Sequence, residues 1–213
     1  MIELKNISKS YRSGEQIIRA LDQVSLKIPE GSYLAVLGPS GCGKSTLLNI
    51  LAGYEKADEG EYLFDGQNAD DVCALLRKTA AMIFQEHQLL EYLTVRDNLL
   101  LPSLYNRERI TNQRFEEVCR QLGIFSLLKR YPRQLSGGEK QRCGIGRAVL
   151  YDKQLILADE PTGSLDRENA ETIMDIFTSL HRQGRTVILV THDRKLAGRC
   201  ETTVHLEDGH VVS

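Results

Sequence analysis

The stretch GPSGCGKST, residues 38–46, places three glycines around one lysine directly after the apolar run Tyr33–Leu37. Glycines let backbone N–H groups curl around oxygen atoms without side-chain clashes. A helix that begins at Lys44 would point the partly positive end of its dipole at the same oxygens. The spacing Gly-x-x-x-x-Gly-Lys-Ser therefore predicts a buried strand, a phosphate-binding loop (the P-loop) and a helix, in that order.

The residues of this loop have separate expected roles on a nucleotide and its metal ion. Lys44 can reach the terminal phosphates as a point charge, and the Ser45 hydroxyl can ligate Mg²⁺. The other residues expected to bind the nucleotide are Gly38, Pro39, Ser40, Gly41, Cys42, Gly43 and Thr46. The alternative, a glycine-rich turn without a ligand, is disfavoured because the strand and the helix lie where the motif requires them.

A carboxylate pair follows another apolar run, in the stretch LILADE. Asp159 ends this run as the aspartate of a Walker B arrangement does, and we expect it to hold Mg²⁺. Glu160 comes next and could act as the base or orienter of an attacking water. If the sequence had no P-loop, the better interpretation of Asp159 and Glu160 would be a helix N-cap with a favourable negative charge in the first turn.

Two further polar residues end apolar runs. Gln85 closes AAMIFQ and His192 closes VILVTH. Because ligands of α/β proteins bind at the carboxyl edge of the sheet, both side chains are expected beside the nucleotide. His192 could contact a γ-phosphate or position a water, although either residue alone would be unremarkable at a strand end.

The alternation of apolar strands with helices predicts an α/β fold of the P-loop NTPase class with a mostly parallel sheet. The runs MIELKNI and IIRALDQVSLKI alternate in polarity over part of each and indicate exposed-edge strands, and Asp-Gly turns are expected at 65–66 and 208–209. We expect an antiparallel β subdomain at the N-terminus. Residues from about 88 to 150 have a helical and more polar pattern. We therefore expect one domain over 1–213, with core segments at about 1–87 and 151–213 and an inserted helical subdomain at about 88–150.

Composition limits the partners and the compartment. A net charge of −2 gives no basic excess for nucleic acid. The five cysteines are odd in number and include no Cys-x-x-Cys, so free thiols in a reducing compartment are expected. No signal peptide is evident, and no run approaches the ~18 apolar residues of a membrane span. The isolated protein is expected to be soluble, which leaves docking on a membrane protein open.

The stretch LSGGE, Leu135–Glu139, followed by Gln141 and Arg142, is a second glycine-rich helix start. Its hydroxyl and bare amides would form a second anion site, which one P-loop does not need. With this stretch the chain resembles, over nearly its whole length, the ATP-binding subunits of ABC transporters. The resemblance implies a head-to-tail homodimer that forms on ATP binding. In it, the signature residues Ser136, Gly137 and Gly138 cap the γ-phosphate on the partner's P-loop.

The resemblance also assigns roles to residues outside the two glycine-rich turns. Tyr11 corresponds to the aromatic that stacks on adenine, and Gln85 to the residue that touches Mg²⁺ and links the site to the helical subdomain. Glu160 and His192 correspond to the catalytic carboxylate and the switch histidine, so Glu160, His192 and Gln85 form the expected catalytic set. The SLD stretch, Ser164–Asp166, corresponds to the D-loop.

The resemblance implies an ATPase that powers a transmembrane permease subunit, with ATP and Mg²⁺ bound and the subunit peripheral on the cytoplasmic face of the membrane. The stretches LTVRDNLLLP and ADEPTGSLD resemble the branch of lipoprotein-releasing, macrolide-efflux and peptide-resistance systems, which implies an exporter or a mechanotransmission system. The alternative is a non-transport ABC ATPase that regulates a membrane complex, such as cell-division or cell-wall hydrolase control. One P-loop and one signature in 213 residues disfavour the soluble ABC ATPases of DNA repair, chromosome structure or translation.

Overall fold

The computed structural model describes residues 1–14, 16–69, 73–86, 88–106 and 109–212. The strands are β1 Ile2–Ser13, β2 Gln16–Ile28, β3 Tyr33–Leu37, β4 Glu59–Phe64, β5 Gln67–Asn68, β6 Ala80–Ile83, β7 Leu155–Asp159, β8 Thr186–Thr191, β9 Thr202–Glu207 and β10 His210–Val211. The α-helices are α1 Lys44–Leu51, α2 Cys73–Thr79, α3 Val95–Asn106, α4 Asn112–Gln121, α5 Gly137–Leu150, α6 Arg167–Arg182 and α7 Arg194–Ala197.

Two sheets organise the described chain. The larger has the strand order β10-β9-β3-β8-β7-β6, in which β10 pairs antiparallel with β9 and the other pairs are parallel. The smaller, β2-β1-β4-β5, is antiparallel. This topology confirms the predicted mostly parallel sheet and the antiparallel β sheet, and α3, α4 and α5 lie in the segment predicted as the helical subdomain. The residue limits of the predicted subdomains stay a prediction.

The central strands are apolar throughout because helices cover both faces of the parallel sheet. Successive side chains of a strand point to opposite faces. Leu155 and Leu157 of β7 join a core that contains the leucines of α1. Ile156 and Ala158 join a second core with Phe177 of α6. The continuous apolar runs in the sequence are therefore the consequence of burial on both faces.

The helical subdomain packs closely at Gly146 of α5. A Cβ atom at Gly146 would lie 2.8 Å from Cδ2 of Leu99 in α3 and 3.3 Å from Cδ1 of Leu122. An alanine there would press on both leucines. Gly146 therefore lets α3 approach α5 closely.

Two elements differ from the sequence expectations. Strand β1 continues to Ser13, beyond the predicted run MIELKNI, because it stays paired with β2 as far as Ser13 and Gln16, although register shifts interrupt the pairing. Helix α2 occupies 73–79, where no helix was predicted. The predicted Asp-Gly turns are present: Asp65 and Asp208, each followed by glycine, have φ values of 50° and 45°, as two-residue hairpin turns require.

The cysteines of the described chain are free thiols in apolar surroundings. Cys42, Cys119 and Cys143 are buried and Cys200 is partly buried, while the side chain of Cys73 lies outside the described residues. Burial raises the pKa of Cys119 to about 11 and the pKa of Cys143 to about 12. The thiolate is the reactive form, so these thiols are unreactive near neutral pH. Among the described helices, none has the length and apolar character that a membrane crossing demands.

Thiol titration tests this burial. In a Cys73→Ser variant at pH 8, we expect Ellman's reagent to modify less than about one thiol per folded chain, because the raised pKa keeps the remaining cysteines protonated. All four, Cys42, Cys119, Cys143 and Cys200, should react once the chain is unfolded in guanidinium chloride. Rapid reaction of several thiols before unfolding would contradict the packing described here.

Candidate functional site

A cavity of about 810 Å³ opens at the carboxyl edge of the parallel sheet. The strand register creates it, because Leu37 of β3 pairs with Thr191 of β8, and Asp159 of β7 pairs with Val190. The cavity is lined by Tyr11, Ala20, Pro39, Ser40, Gly41, Gly43, Lys44, Ser45, Thr46, Gln85, Asp159, Glu160 and His192. The structure thus brings into one cavity residues that are far apart in the sequence and that, apart from Ala20, were predicted to bind the nucleotide or its metal ion or to act in catalysis.

The loop between β3 and α1 has a backbone that only glycine adopts without strain. Gly41 and Gly43 have φ values of 82° and 105°. A Cβ atom on Gly43 would lie 2.2 Å from the carbonyl oxygen of Ala20 in β2. Gly38 and Cys42 do not line the cavity: Gly38 is half-buried beneath the loop, and Cys42 is buried in the core, where burial raises the pKa of its thiol.

Helix α1 begins at the cavity without a side-chain cap. Its N-cap, Gly43, supplies no acceptor for the first-turn N–H groups. By contrast, Thr111, Ser136 and Asp166 accept such hydrogen bonds at the starts of α4, α5 and α6. The first N–H groups of a helix have no partner within it, so this end of α1 is suited to an anion.

Lys44 places a positive charge at the same point. Its Nζ atom donates hydrogen bonds to the carbonyl oxygens of Gly38 at 2.8 Å and Pro39 at 2.7 Å. The side chain is only 7% exposed, and Nζ lies 3.8 Å from Oε1 of Glu160. The loop therefore holds the lysine in one orientation, beside the start of α1 and the carboxylate that follows β7.

Glu160 occupies a strained position next to a histidine. Its φ is 44°, in the left-handed region, and its N–H donates to the Val190 oxygen at 3.0 Å. Such strain is concentrated at functional sites. Oε2 of Glu160 lies 3.0 Å from Nδ1 of His192, whose side chain is 67% exposed while that of Glu160 is 16% exposed. Because a carboxylate only accepts, Nδ1 carries the hydrogen in this contact.

The oxygen-bearing side chains that line the cavity include the hydroxyl of Ser45, the amide of Gln85 and the carboxylate of Asp159. Within the described ranges, no group of three or more His, Cys, Asp or Glu side chains could hold a metal ion. A cation at Asp159 would therefore take further oxygens from water or a bound phosphate. Mg²⁺ binds in this way, with one or two carboxylates plus substrate phosphates, so these residues fit it.

Tyr11 lies at the rim of the cavity and is oriented by a residue that the sequence did not single out. Its hydroxyl donates to Oε2 of Glu55 at 2.7 Å and lies 3.4 Å from Oγ1 of Thr46. The Tyr11 side chain is 37% exposed, and partial burial raises its pKa. Glu55 also lies 3.7 Å from Nζ of Lys9. No motif marks Glu55, so only the fold identifies it as the partner of Tyr11.

The signature residues do not line this cavity. Ser136 caps α5: its Oγ accepts from the N–H of Glu139 at 3.3 Å, and its own N–H donates to Oε2 of Glu139 at 2.7 Å. Ser136 and Gly137 are exposed, whereas Gly138 is buried. The structure therefore brings the P-loop, Gln85, Asp159, Glu160 and His192 together and leaves the signature turn on a separate, open surface.

Known proteins resemble the chain over its whole length. The family described as "ABC transporter" matches residues 21–163. "Macrolide export ATP-binding/permease protein MacB" of Photorhabdus laumondii is 43% identical over 220 residues, which are 100% of the chain but 34% of that protein. The chain thus spans about a third of the length of this relative. "Uncharacterized ABC transporter ATP-binding protein YknY" of Bacillus subtilis is 38% identical, with 100% of the chain and 95% of that protein covered.

Solved structures agree with these relatives. A structure entitled "Dimeric structure of a post-hydrolysis state of the ATP-binding cassette MJ0796 bound to ADP and Pi" superposes with a TM-score of 0.90 at 37% identity, covering 100% of the chain and 97% of that protein. A second one, "Dimeric Structure of MJ0796, a Bacterial ABC Transporter Cassette", has a TM-score of 0.90 at 38% identity and the same coverage.

Two alanine substitutions in the P-loop separate its conformational requirement from its packing. Gly43→Ala combines left-handed strain with a clash against the Ala20 oxygen, so we expect a loss of about 3 kcal/mol or more in the free energy of unfolding. Gly41→Ala is the matched control: its φ is also positive, but nothing lies within 4 Å of the new Cβ, so only ~1–2 kcal/mol should be lost. Urea unfolding followed by circular dichroism measures both, and equal losses would contradict the close approach at Gly43.

Proposed function

The chain belongs to the ABC transporter family as an ATP-binding cassette with ATPase activity, and from this we propose that it powers a membrane partner by ATP-driven head-to-tail dimerisation. One observation carries the proposal. The P-loop lies in the cavity with Asp159, Glu160 and His192, whereas the signature turn, with Ser136 and Gly137 exposed, lies on a separate surface of the same copy. A second copy would supply the signature turn that each cavity lacks.

In the proposed complex, the P-loop binds the phosphates of ATP. The open start of α1 and the charge of Lys44 both act on the terminal phosphates. Tyr11, held by Glu55 and close to Thr46, would stack on the adenine. Because Nζ of Lys44 bonds to the loop's own carbonyls, the loop is already folded around the position that the phosphates would occupy.

We further propose that Ser45, Gln85 and Asp159 hold Mg²⁺. When bound, the ion would neutralise charge on the phosphates. The chain's own contribution is to place a hydroxyl, an amide and a carboxylate around one point. Gln85 also lies against the loop after β7, since its Nε2 atom is 3.0 Å from the position a Cβ of Gly163 would take. Because Gln85 also stands between β6 and α3 in the chain, it can link the nucleotide site to the helical subdomain.

Glu160 is proposed to orient the attacking water and accept its proton, and His192 to hold this geometry. The carboxylate is mostly shielded and is positioned by strain, by Lys44 and by His192. A neutral imidazole that donates from Nδ1 to Glu160 has only an acceptor at Nε2. His192 can therefore donate to a phosphate oxygen as well only when the ring is protonated or when it releases Glu160.

Dimerisation follows from the need for two sets of contacts on one nucleotide. The exposed turn of Ser136 and Gly137 of one copy would bind the γ-phosphate held in the cavity of the other. Only the closed pair makes both sets of contacts, so ATP shifts the population toward it. Hydrolysis removes the bridging phosphate, and the pair reopens.

The partner is proposed to be a transmembrane permease, which would place the cassette peripherally on the cytoplasmic face of the membrane. Relatives whose names join ATP-binding and permease functions support this arrangement. The same relatives, named for macrolide export, support an exporter or mechanotransmission system for a lipoprotein, peptide or antimicrobial. The identity of the membrane protein that co-purifies with the chain from native membranes tests this part of the proposal.

Glu160→Gln tests the proposed base. The amide cannot accept a proton from water, so we expect ATP turnover to fall by about 10²–10⁴-fold, while an ATP-bound dimer accumulates on size-exclusion chromatography with light scattering. Glu117→Gln makes the same chemical change at an exposed position of α4 and should leave turnover and oligomeric state unchanged. If Glu160→Gln turned over ATP as fast as the wild type, Glu160 would not be the base.

Glu55→Ala tests the orientation of Tyr11. Loss of one hydrogen bond to the ring hydroxyl should raise the KM for ATP about 3–10-fold and leave kcat nearly unchanged, because the chemistry lies at the phosphates. Glu55→Gln, which keeps an acceptor, should have a smaller effect, and Tyr11→Phe should resemble Glu55→Ala. Initial rates over a range of ATP concentrations measure this, and a fall in kcat at constant KM would contradict the assignment.

A further inference from the structure

The second signature glycine lies against an asparagine of the helix that follows the D-loop. A Cβ atom on Gly138 would lie 2.2 Å from Oδ1 and 2.5 Å from Cγ of Asn169. These distances are too short for any side chain, and the asparagine is only partly exposed. Because residue 138 is a glycine, the Asn169 side chain has room to lie directly against α5.

The D-loop fixes the orientation of this asparagine. Nδ2 of Asn169 donates to Oδ2 of Asp166 at 2.7 Å, and its backbone N–H donates to Oδ1 at 2.9 Å. A carboxylate only accepts hydrogen bonds, so the amide nitrogen must face Asp166 and the amide oxygen must face Gly138. Asp166 is both the last residue of the D-loop and the N-cap of α6.

Helix capping alone does not account for the side chain at this position. The cap needs only the backbone N–H of residue 169, which any residue other than proline supplies. Asparagine is also a poor residue for a helix, because its side chain competes for backbone groups. The neighbouring glycine also lies close to the D-loop: a Cβ on Gly137 would lie 3.3 Å from Cδ2 of Leu165. The signature turn and the D-loop of one copy are thus packed together.

We propose that Asn169 is a positioning residue that joins the signature turn to the D-loop of the same copy, so that both meet the partner's nucleotide as one unit. This inference rests on the proposed ATP-driven dimer. Asn169 touches no nucleotide in it. Its effect is on dimer closure, because a signature turn that moves independently of the D-loop must lose that freedom when the pair closes.

The test uses the full chain in the Glu160→Gln background, where ATP should hold the dimer. Asn169→Asp keeps the shape but replaces the donor with a carboxylate oxygen facing Asp166. A head-to-tail dimer contains two copies of the hydrogen bond between Asn169 and Asp166, and the substitution removes both. We therefore expect the dimer dissociation constant with Mg-ATP to rise at least about tenfold. The affinity of the dilute monomer for a fluorescent ATP analogue should not change, since Asn169 is outside the cavity. Asn112→Asp, the same change at an exposed helix start, is the control.

The outcomes separate this inference from the function on which it rests. If Glu160→Gln alone forms no dimer with Mg-ATP, the proposed function fails. If it forms a dimer and Asn169→Asp leaves the dissociation constant unchanged, the role of Asn169 is overturned while the function stands. Weaker dimerisation with unchanged monomer affinity for the ATP analogue supports the inference, since a general defect of the fold would weaken nucleotide binding by the monomer as well.

A double-mutant cycle keeps the proposal testable if Asn169→Asp folds poorly. Gly138→Ala forces a methyl group into the Asn169 side chain, whereas Asn169→Ala vacates that space. We expect Gly138→Ala to lower the unfolding midpoint in urea strongly in the Asn169 chain and much less in the Asn169→Ala chain. Additive effects of the two substitutions would show that the side chains do not meet in solution and would overturn the inference.

Discussion

The parallel register of the central strands is the constraint on which the site depends. Hydrogen bonding aligns the ends of β3, β7 and β8 at one edge of the sheet. The residues just beyond those ends, rather than residues near one another in the sequence, then share one cavity. Burial of apolar side chains on both faces stabilises the sheet, and its hydrogen-bonded register determines where Lys44, Glu160 and His192 meet.

Backbone strain and charge act together at that edge. Glu160 adopts a left-handed conformation and Gly43 a φ of 105°, both of which bring polar groups toward the space between the loop and β7. Lys44 balances the nearby carboxylate, and its hydrogen bonds to loop carbonyls keep it from collapsing onto Glu160, 3.8 Å away. The uncapped start of α1 and the held Lys44 therefore stand at the cavity before any ligand binds, which is the preorganisation that the proposed function requires.

Local signals predicted much of this arrangement, and long-range contacts supplied the rest. The P-loop, the buried strands and the residues that end them could be read from spacing and apolar runs, because each depends on its immediate neighbours. Glu55 and Asn169 could not, because their importance comes from Tyr11 and Gly138, which are distant in sequence. Helix α2 was missed where flanking signals are weak, and the extension of β1 was missed because register shifts break its alternation.

The central claim is that each nucleotide site is completed by a second copy of the chain. Mixing two inactive variants tests it most directly. A Lys44→Ala copy retains its signature turn, and a Ser136→Arg copy retains its P-loop, so a mixed head-to-tail pair contains one complete site. The account predicts that ATP turnover, absent from either variant alone, reappears on mixing. No recovery, despite proof that the two variants associate, would contradict it.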